Sequence, residues 1–446
     1  MMKKLLSLSL CALLLISCFT TNLTVLSGAE TTNSKEFTQT AQNFCSNIIA
    51  GWNLGNTLDA CQSWGNIPDE PTPNQQETGW NNPTTTQSMI DVVAKSGINA
   101  IRIPVSWSLQ LTEKNGKYTI KSDWMTRVKE IVGYAEKNNM YIIVNMHHDD
   151  QTWLNISASN SEWTKIKEKY KQLWGQIAYA FKDYNEKLIL EGANEITATK
   201  SFDKCGSGSG KCWWGHSEEV FERQNELYQI FVDTVRASGG NNDKRYLMLP
   251  TYGAQWYSNQ IQNLVIPNND QHIIMDIHWY SGSSTNAGSN TSVFNVIKNY
   301  CDKHNIAAVI GECGFSKTTS DSTKINWAKN FVKPAKQLGI PCFLWDDGGD
   351  MAILNRDSQV PSWNSTLYVR SVVNNSKSVM VLGDANGNGE FGITDINYMA
   401  RYLAKRPGFS TISNLADVNK DNEINLVDYY YMKKVFAGLM EFDDIK

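Results

Sequence analysis

The chain has 446 residues, with 41 basic against 45 acidic side chains and a formal charge of -4. By length this corresponds to about three domains, or fewer if one is an α/β barrel of roughly 250 residues or more; the absence of a basic block argues against nucleic acid as a partner. Its 15 Trp, 18 Tyr and 15 Phe mostly supply core, and the surplus suits stacking on flat apolar ligand faces such as those of sugars.

At the N-terminus, Lys3 and Lys4 precede the apolar run Leu5 to Ile16, and Ser27-Gly28-Ala29 offers small residues for cleavage. This is the pattern of a secretory signal peptide over residues 1–29, and it predicts a secreted, extracellular product. The run is too short to span a membrane. Leu15-Ile16-Ser17-Cys18 is an alternative, a lipoprotein box that would anchor the chain through an acylated Cys18. Seven cysteines follow Ala29: Cys45, Cys61, Cys205, Cys212, Cys301, Cys313 and Cys342. An odd number cannot all pair. Cys205 and Cys212 bracket a flexible Gly-Ser-Gly-Ser-Gly segment and are expected to form a local bridge, and no spacing matches a four-thiolate zinc site.

Eight short apolar, β-branched runs come next: Ile48 to Asn53, Asn99 to Val105, Met140 to His147, Lys187 to Glu195, Arg245 to Thr251, His272 to Tyr280, Ala307 to Gly314 and Cys342 to Asp346. Helical patterns lie between them, such as Trp163, Ile166, Tyr170, Leu173, Trp174, Ile177 and Phe181, whose 3 and 4 spacing marks a core-facing stripe. Eight buried strands alternating with helices predict a (β/α)8 barrel, an α/β fold, because parallel pairing requires crossover connections. In such barrels the chemistry sits at the C-terminal ends of the strands.

Those ends carry Arg102 on the second run, His147 and His148 on the third, Asn194-Glu195 on the fourth, His278-Trp279-Tyr280 on the sixth, Glu312 on the seventh and Trp345-Asp346-Asp347 on the eighth. One Glu alone could be a salt-bridge partner. Six of eight strands delivering ionisable or aromatic groups to one rim would bury many charges for no gain in stability, so a catalytic mouth is the better account. Two carboxylates with Arg, His, Tyr and Trp point to glycoside hydrolysis without a cofactor. Motifs for a serine nucleophile elbow, a phosphate loop and a zinc-protease helix are missing from the sequence. His147-His148-Asp149-Asp150 is an alternative metal tract, disfavoured because neighbours at a strand end point apart.

Gly51-Trp52-Asn53-Leu54-Gly55-Asn56, Glu77-Thr78-Gly79-Trp80, Arg102-Ile103-Pro104-Val105-Ser106-Trp107, Asn194-Glu195, His278-Trp279-Tyr280 and Gly311-Glu312 together resemble glycoside hydrolase family 5, the retaining endo-β-1,4-glucanases of cellulase family A. The resemblance covers roughly residues 40 to 370. It implies Glu195 as acid/base and Glu312 as nucleophile, with Asn194 on the sugar 2-hydroxyl. It further implies that Arg102 and Tyr280 hold the nucleophile, that His147 and His278 shape the reactive subsite, and that Trp345 stacks on the sugar; His148 and Asn53 join the supporting set. Cellulose or a related β-glucan is the expected substrate, with xyloglucan, mixed-linkage glucan, xylan and mannan as alternatives because loops choose the sugar. A catalytically inactive carbohydrate-binding component is the remaining option.

Near the C-terminus, Asp384, Asn386, Asn388, Glu390 and Asp395 recur 33 residues later as Asp417, Asn419, Asp421, Glu423 and Asp428. Each set offers oxygen ligands at loop positions 1, 3, 5 and 12 and a carbonyl at 7, the pattern that Ca²⁺ prefers. Helical stretches from Ile396 to Leu403 and Asp428 to Phe436 are expected to follow. Asp rather than Glu at position 12, with irregular preceding segments, resembles a type I dockerin, which implies two calcium ions and docking to a cohesin of a cellulosome scaffold. Ile393, Thr394, Leu426 and Val427 are the implied cohesin contacts, and their inequality between repeats weakens a symmetric, two-way mode. Asn422 replaces the usual Gly at position 6, where Asn tolerates a left-handed backbone. The expected organisation is therefore a signal (1–29), a catalytic barrel (30–375), a linker (376–382) and a small all-α dockerin (383–446).

Overall fold

A computed structural model describes residues 37–445 apart from 66, 207, 209, 282–286, 357–359, 378–380, 388–390 and 410–411. The expected signal peptide, Cys18, Asn388 and Glu390 lie outside the described residues. Among those described, no helix is long and apolar enough to cross a membrane.

Each of the eight apolar runs contains one parallel strand: β1 (Gly51–Asn53), β2 (Ala100–Ile103), β3 (Tyr141–Asn145), β4 (Leu188–Glu191), β5 (Leu247–Pro250), β6 (Ile273–His278), β7 (Ala307–Cys313) and β8 (Cys342–Leu344). They close into a barrel in sequence order, sealed by β1 against β8, where Gly51 faces Phe343. Three short antiparallel pairs, at 111–120, 198–212 and 354–363, decorate the connections after β2, β4 and β8.

Side chains alternate along a strand, so each strand feeds two environments. Outward residues such as Ile101, Ile142, Leu188 and Leu190 pack against the surrounding helices. The longest of these, Asn160–Phe181, starts with a Ser159–Glu162 capping box and buries Trp163, Tyr170, Leu173, Trp174, Ile177 and Phe181, the stripe its spacing predicts. Inward residues Ala100, Ile143, Ile189, Met248, Ile274 and Val309 form a separate apolar cluster. Phe44, Cys45 and Ile48, on and just after the short helix Ala41–Ser46, close this cluster from below.

Two residues further along the same inward register stand Arg102, Asn145, Glu191 and Asp276, all fully buried. The barrel interior therefore changes from oil to charge over one repeat of the strand. Register shifts in β6 and β7 bring His278 opposite Glu312, a bulge that re-aims side chains at the barrel rim.

Cys205 and Cys212 are disulfide-bonded, as their spacing predicts. Cys45, Cys61, Cys301, Cys313 and Cys342 are buried free thiols.

Residues 381–445 pack two helices, Ile393–Leu403 and Leu426–Phe436, around Ala385, Ile396, Met399, Ala416, Val418 and Met432. Both helices begin earlier than the expected Ile396 and Asp428. The reason is that the position-12 aspartates are the N3 residues of capping boxes whose N-caps are Gly392 and Asn425. Asp395 accepts from Gly392 N at 2.9 Å and Asp428 from Asn425 N at 3.0 Å, so loop end and first helical turn overlap. Asn422 has a left-handed φ of 64°, as its place at position 6 requires.

Beneath the barrel, Lys336 is 5% exposed and donates to the carbonyls of Ser46 and Ile48. Burial pushes its pKa down to about 8, against about 10.4 in an unfolded chain. Between these values the unfolded state binds more protons, so this group makes stability rise with pH. Lys336→Met should remove that slope, at most about 1.4 kcal/mol per pH unit, as read from the difference between wild-type and variant urea unfolding over pH 8 to 10.

Candidate active site

Arg102 organises the mouth of the barrel. Its Nε and Nη2 bind Glu191 at 2.7 and 2.8 Å, and Nη1 binds Glu312 Oε1 at 2.7 Å and Asn53 Oδ1 at 3.1 Å. Nη2 also reaches Asn194 Oδ1 at 2.9 Å. The ends of β1, β4 and β7 are thereby tied to one guanidinium on β2, whose planar fork suits bidentate carboxylate pairing.

Glu312 is held at both oxygens, since Tyr280 OH donates to Oε2 at 2.7 Å. Glu195 is more open, and its Oε1 lies 2.7 Å from His278 Nδ1. The opposite ring nitrogen of His278 meets Asp276 Oδ2 at 3.1 Å. One carboxylate oxygen each of Glu195 and Glu312, with a His278 nitrogen, lie within 4.8 Å of one another.

The electrostatics follow from burial and neighbours. Burial opposes charge on His278, but Glu312 and Asp276 beside it carry its pKa well above the ordinary value. Burial likewise opposes charge on Asp276, and the neighbouring His278 and Arg102 outweigh it, so its pKa is lowered. Glu191 goes the other way, with burial raising it to about 7 despite Arg102. Burial holds His147 well below the usual range and brings His148 down to about 4.

The sequence-predicted residues divide into three groups. Arg102, Glu312, Asn194 and Tyr280 form one hydrogen-bonded cluster and Glu195 with His278 a second, and the two meet where His278 Nδ1 lies 3.5 Å from Glu312 Oε2. Trp345 stands beside them, stacked on His147 with centroids 5.8 Å apart and planes 7° from parallel; His148 lines an adjacent cavity of about 850 Å³ with Asn56, Trp80 and Asn81. Asn53 is fully buried and works from beneath, anchoring Arg102 while donating to Gly311 O. Glu77, from the Glu-Thr-Gly-Trp motif, lies apart from the network, paired bidentately with Arg127 at 2.8 and 2.9 Å.

The His-His-Asp-Asp tract corrects one expectation. The rings of His147 and His148 do approach, with centroids 4.4 Å apart, because β3 ends at Asn145 and the chain turns into a 3₁₀ segment at His148. Asp149 turns away to Trp107 N and Trp153 Nε1, and Asp150 to Gln151. Sequence reasoning missed Glu191 and Asp276. The available signal was the period of two, which places each of them two residues beyond an inward-facing Ile.

In the C-terminal repeats the position-12 carboxylates also gather the loop backbone. Asp395 accepts from Asn386 N at 3.1 Å, and Asp428 from Val418 N at 2.9 Å. Asp417 Oδ1 is buried without a hydrogen-bond partner. Burial raises its pKa, and so do Asp428 and Asp421. An orphaned carboxylate oxygen among converging acids fits a hard cation with oxygen ligands.

Residues 62–350 match the cellulase family, glycosyl hydrolase family 5. The chain belongs to that family. Residues 382–437 match the dockerin type I domain. Endoglucanase B of Clostridium cellulovorans is 30% identical over 423 residues, covering 90% of this chain and 84% of the relative. Cellulase/esterase CelE of Acetivibrio thermocellus is 34% identical over 401 residues, which are 80% of this chain and 46% of CelE; the chain thus spans about half the length of that relative. A broad specificity endoglucanase from Ruminococcus champanellensis, solved with bound cellotriose, superposes with a TM-score of 0.67 at 33% identity, over 75% of this chain and 98% of that one. A xyloglucan-specific endo-beta-1,4-glucanase from a metagenomic library, also with cellotriose, gives 0.66 at 35% identity, over 75% and 98%. This family 5 chain is a glycoside hydrolase of the endoglucanase group, with a dockerin behind its barrel.

Asp276 is the counter-ion of His278. Asp276→Asn should lower the His278 pKa and move the alkaline limb of the kcat/KM pH profile to lower pH. An unmoved limb with only reduced kcat would assign Asp276 to packing alone.

Proposed function

We propose that the chain is a retaining endo-β-1,4-glucanase acting on cellulose or related β-glucans by double displacement. Glu312 attacks the anomeric carbon, forming a glycosyl-enzyme ester, while Glu195 protonates the departing oxygen. Glu195 then takes a proton from water, which attacks the same carbon and releases Glu312. The observation that carries this is the carboxylate spacing within 4.8 Å between nearest oxygens, close to the roughly 5–5.5 Å of retaining pairs and short of the roughly 6.5–9.5 Å that an inverting water needs.

The supporting residues divide the work. Arg102 and Tyr280 fix the two oxygens of Glu312 and orient it for in-line attack. Asn194, pinned by Arg102, presents its side chain to the sugar 2-hydroxyl. His278 positions Glu195 through a bond that also registers charge on Glu312, 3.5 Å from the same ring nitrogen. Trp345, backed by His147, offers a face to the sugar, and His148 borders the path of the glycone.

The division into a signal at 1–29, a barrel at 30–375, a linker and a dockerin at 383–446 belongs to the same reading, as does secretion. Asp384, Asn386, Asn388, Glu390 and Asp395 would hold one calcium ion and Asp417, Asn419, Asp421, Glu423 and Asp428 a second. Bound calcium would neutralise the converging acids and fix each loop for cohesin docking. Ile393, Leu426 and Val427, respectively 51%, 70% and 45% exposed, and Thr394 beside them are the cohesin contacts.

Glu195→Gln and Glu312→Gln should each cut polysaccharide turnover at least a hundredfold or so, and azide should rescue Glu195→Ala on an activated aryl glycoside. NMR of the first-formed product should show the β anomer; an α product overturns retention. Reducing-end release from carboxymethylcellulose, barley glucan, xyloglucan, xylan and glucomannan ranks the substrates, and a preference for xylan or mannan removes the glucan assignment.

For the dockerin, chelator added to the full chain should make residues 383–446 protease-sensitive while the barrel stays resistant, with calcium restoring protection. Unchanged cleavage would remove calcium from the account.

A further inference from the structure

Asn414 stands in the short turn Asn414–Ala416 that leads into the second acidic loop, yet its side chain reaches the opposite end of the chain. Its Nδ2 donates to Gln39 Oε1 at 3.0 Å and to the carbonyl of Asn43 at 3.1 Å. Both acceptors belong to the stopper beneath the barrel, and both are held ready. Asn47 Nδ2 fixes Gln39 Oε1 at 3.1 Å, and Tyr246 OH fixes the Gln39 carbonyl at 2.8 Å.

The last carbonyls of so short a helix as Ala41–Ser46 must be met from outside the helical ladder. Lys336 takes the carbonyl of Ser46. Asn414 takes that of Asn43, shared with Ser46 Oγ at 2.7 Å. On its own side the latch is set by the fold of the C-terminal module, because Ser413 N donates to Ala385 O at 3.2 Å and Gly383 N to Leu415 O at 2.6 Å. The segment carrying Asn414 is thus tied to the entry of the first loop.

The rest of the joint encloses a cavity of about 450 Å³, lined by Cys301, Ala307 and Ile340 from the barrel and by Asn386, Tyr398 and Ile412 from the module. Protein interiors do not leave voids of that size. The apolar clusters of barrel and module also share no residue. The two bodies therefore meet through a polar latch and not through a common core, a joint that holds one geometry and can still open. Ala307 begins β7, and Glu312 lies toward its far end, so the module sits at the pole of the barrel opposite the catalytic mouth. Ile393, Leu426 and Val427 stay exposed there.

We infer that the dockerin is seated on the barrel floor, latched by Asn414 to Gln39 and Asn43, so that a cohesin gripping its exposed edge holds the catalytic mouth facing away from the scaffold. The facing of the mouth rests on the cohesin reading, whereas the seat itself needs neither cohesin nor an assigned substrate.

Small-angle X-ray scattering and hydrogen exchange on the full chain in calcium chloride, without cohesin, test the seat. The wild type should have a radius of gyration of about 22 Å, that of one compact body of this length. Asn414→Ala and Gln39→Ala should each raise it by about 2 Å or more as the module swings on its linker. Exchange at the amides of residues 44–48 should become roughly threefold faster in Asn414→Ala. Exchange within the helices at 393–403 and 426–436 should stay at the wild-type rate, as should turnover of carboxymethylcellulose. Since both substitutions break the same bond, combining them should add little to either. A wild type that is already extended, or variants that stay compact with unchanged exchange at 44–48, overturn the seat. Should Asn414→Ala loosen the module's own helices, Gln39→Ala decides by the same two readings, because it leaves the module's sequence intact.

Discussion

A single buried cation governs this structure. Arg102 is fully buried, and its guanidinium satisfies two carboxylates and two amide oxygens drawn from three other strands and their ends. Leaving any one of these charges unpaired in so dry a place would be destabilising by about 3–5 kcal/mol. That dependence makes the network all-or-none: Glu312 is held in one pose because Glu191, Asn53 and Asn194 are held by the same group. Glu191, deeper than Glu312 and fully buried, lets Arg102 stay fixed while Glu312 changes its bonding.

The same constraint explains why charge inside the barrel is confined to its upper end. The lower interior is filled by apolar side chains from alternating positions and closed by the helix at 41–46. The polar layer rests on that floor, so the site residues stand on strands whose other contacts are packed on both faces. Preorganisation of this kind positions catalytic groups before substrate arrives. The groups that stay open to solvent, Tyr280, Trp213 and Trp214, lie on loops or strand extensions above it.

Much of this was legible in the sequence, because the barrel is a repetition of one short pattern. All eight strands fall inside the apolar runs, and the carboxylates fall at their ends. The bulged pairing of His278 with Glu312 was not legible, since a register shift leaves no composition signal. Glu191 and Asp276 were hidden inside runs read as purely apolar; counting by twos from Ile189 and Ile274 exposes them. The early starts of the two C-terminal helices were missed because one aspartate stands both at loop position 12 and at N3 of a capping box, and a sequence pattern shows only one use at a time.

The floor of the barrel also sets an order of events. Phe44 and Ile48 are among the first described residues of the chain, yet the surface that buries them includes Phe343, about 300 residues later. A ribosome or a translocation channel releases the stopper long before the vessel it stops exists, and the β1 to β8 seam can form only when nearly the whole barrel has emerged. Contacts this distant in sequence are slow to form and leave apolar segments uncovered meanwhile. Assembly is thus timed by the far end of the barrel, and a chain cut short before β8 has no seam and lacks Phe343 from its floor.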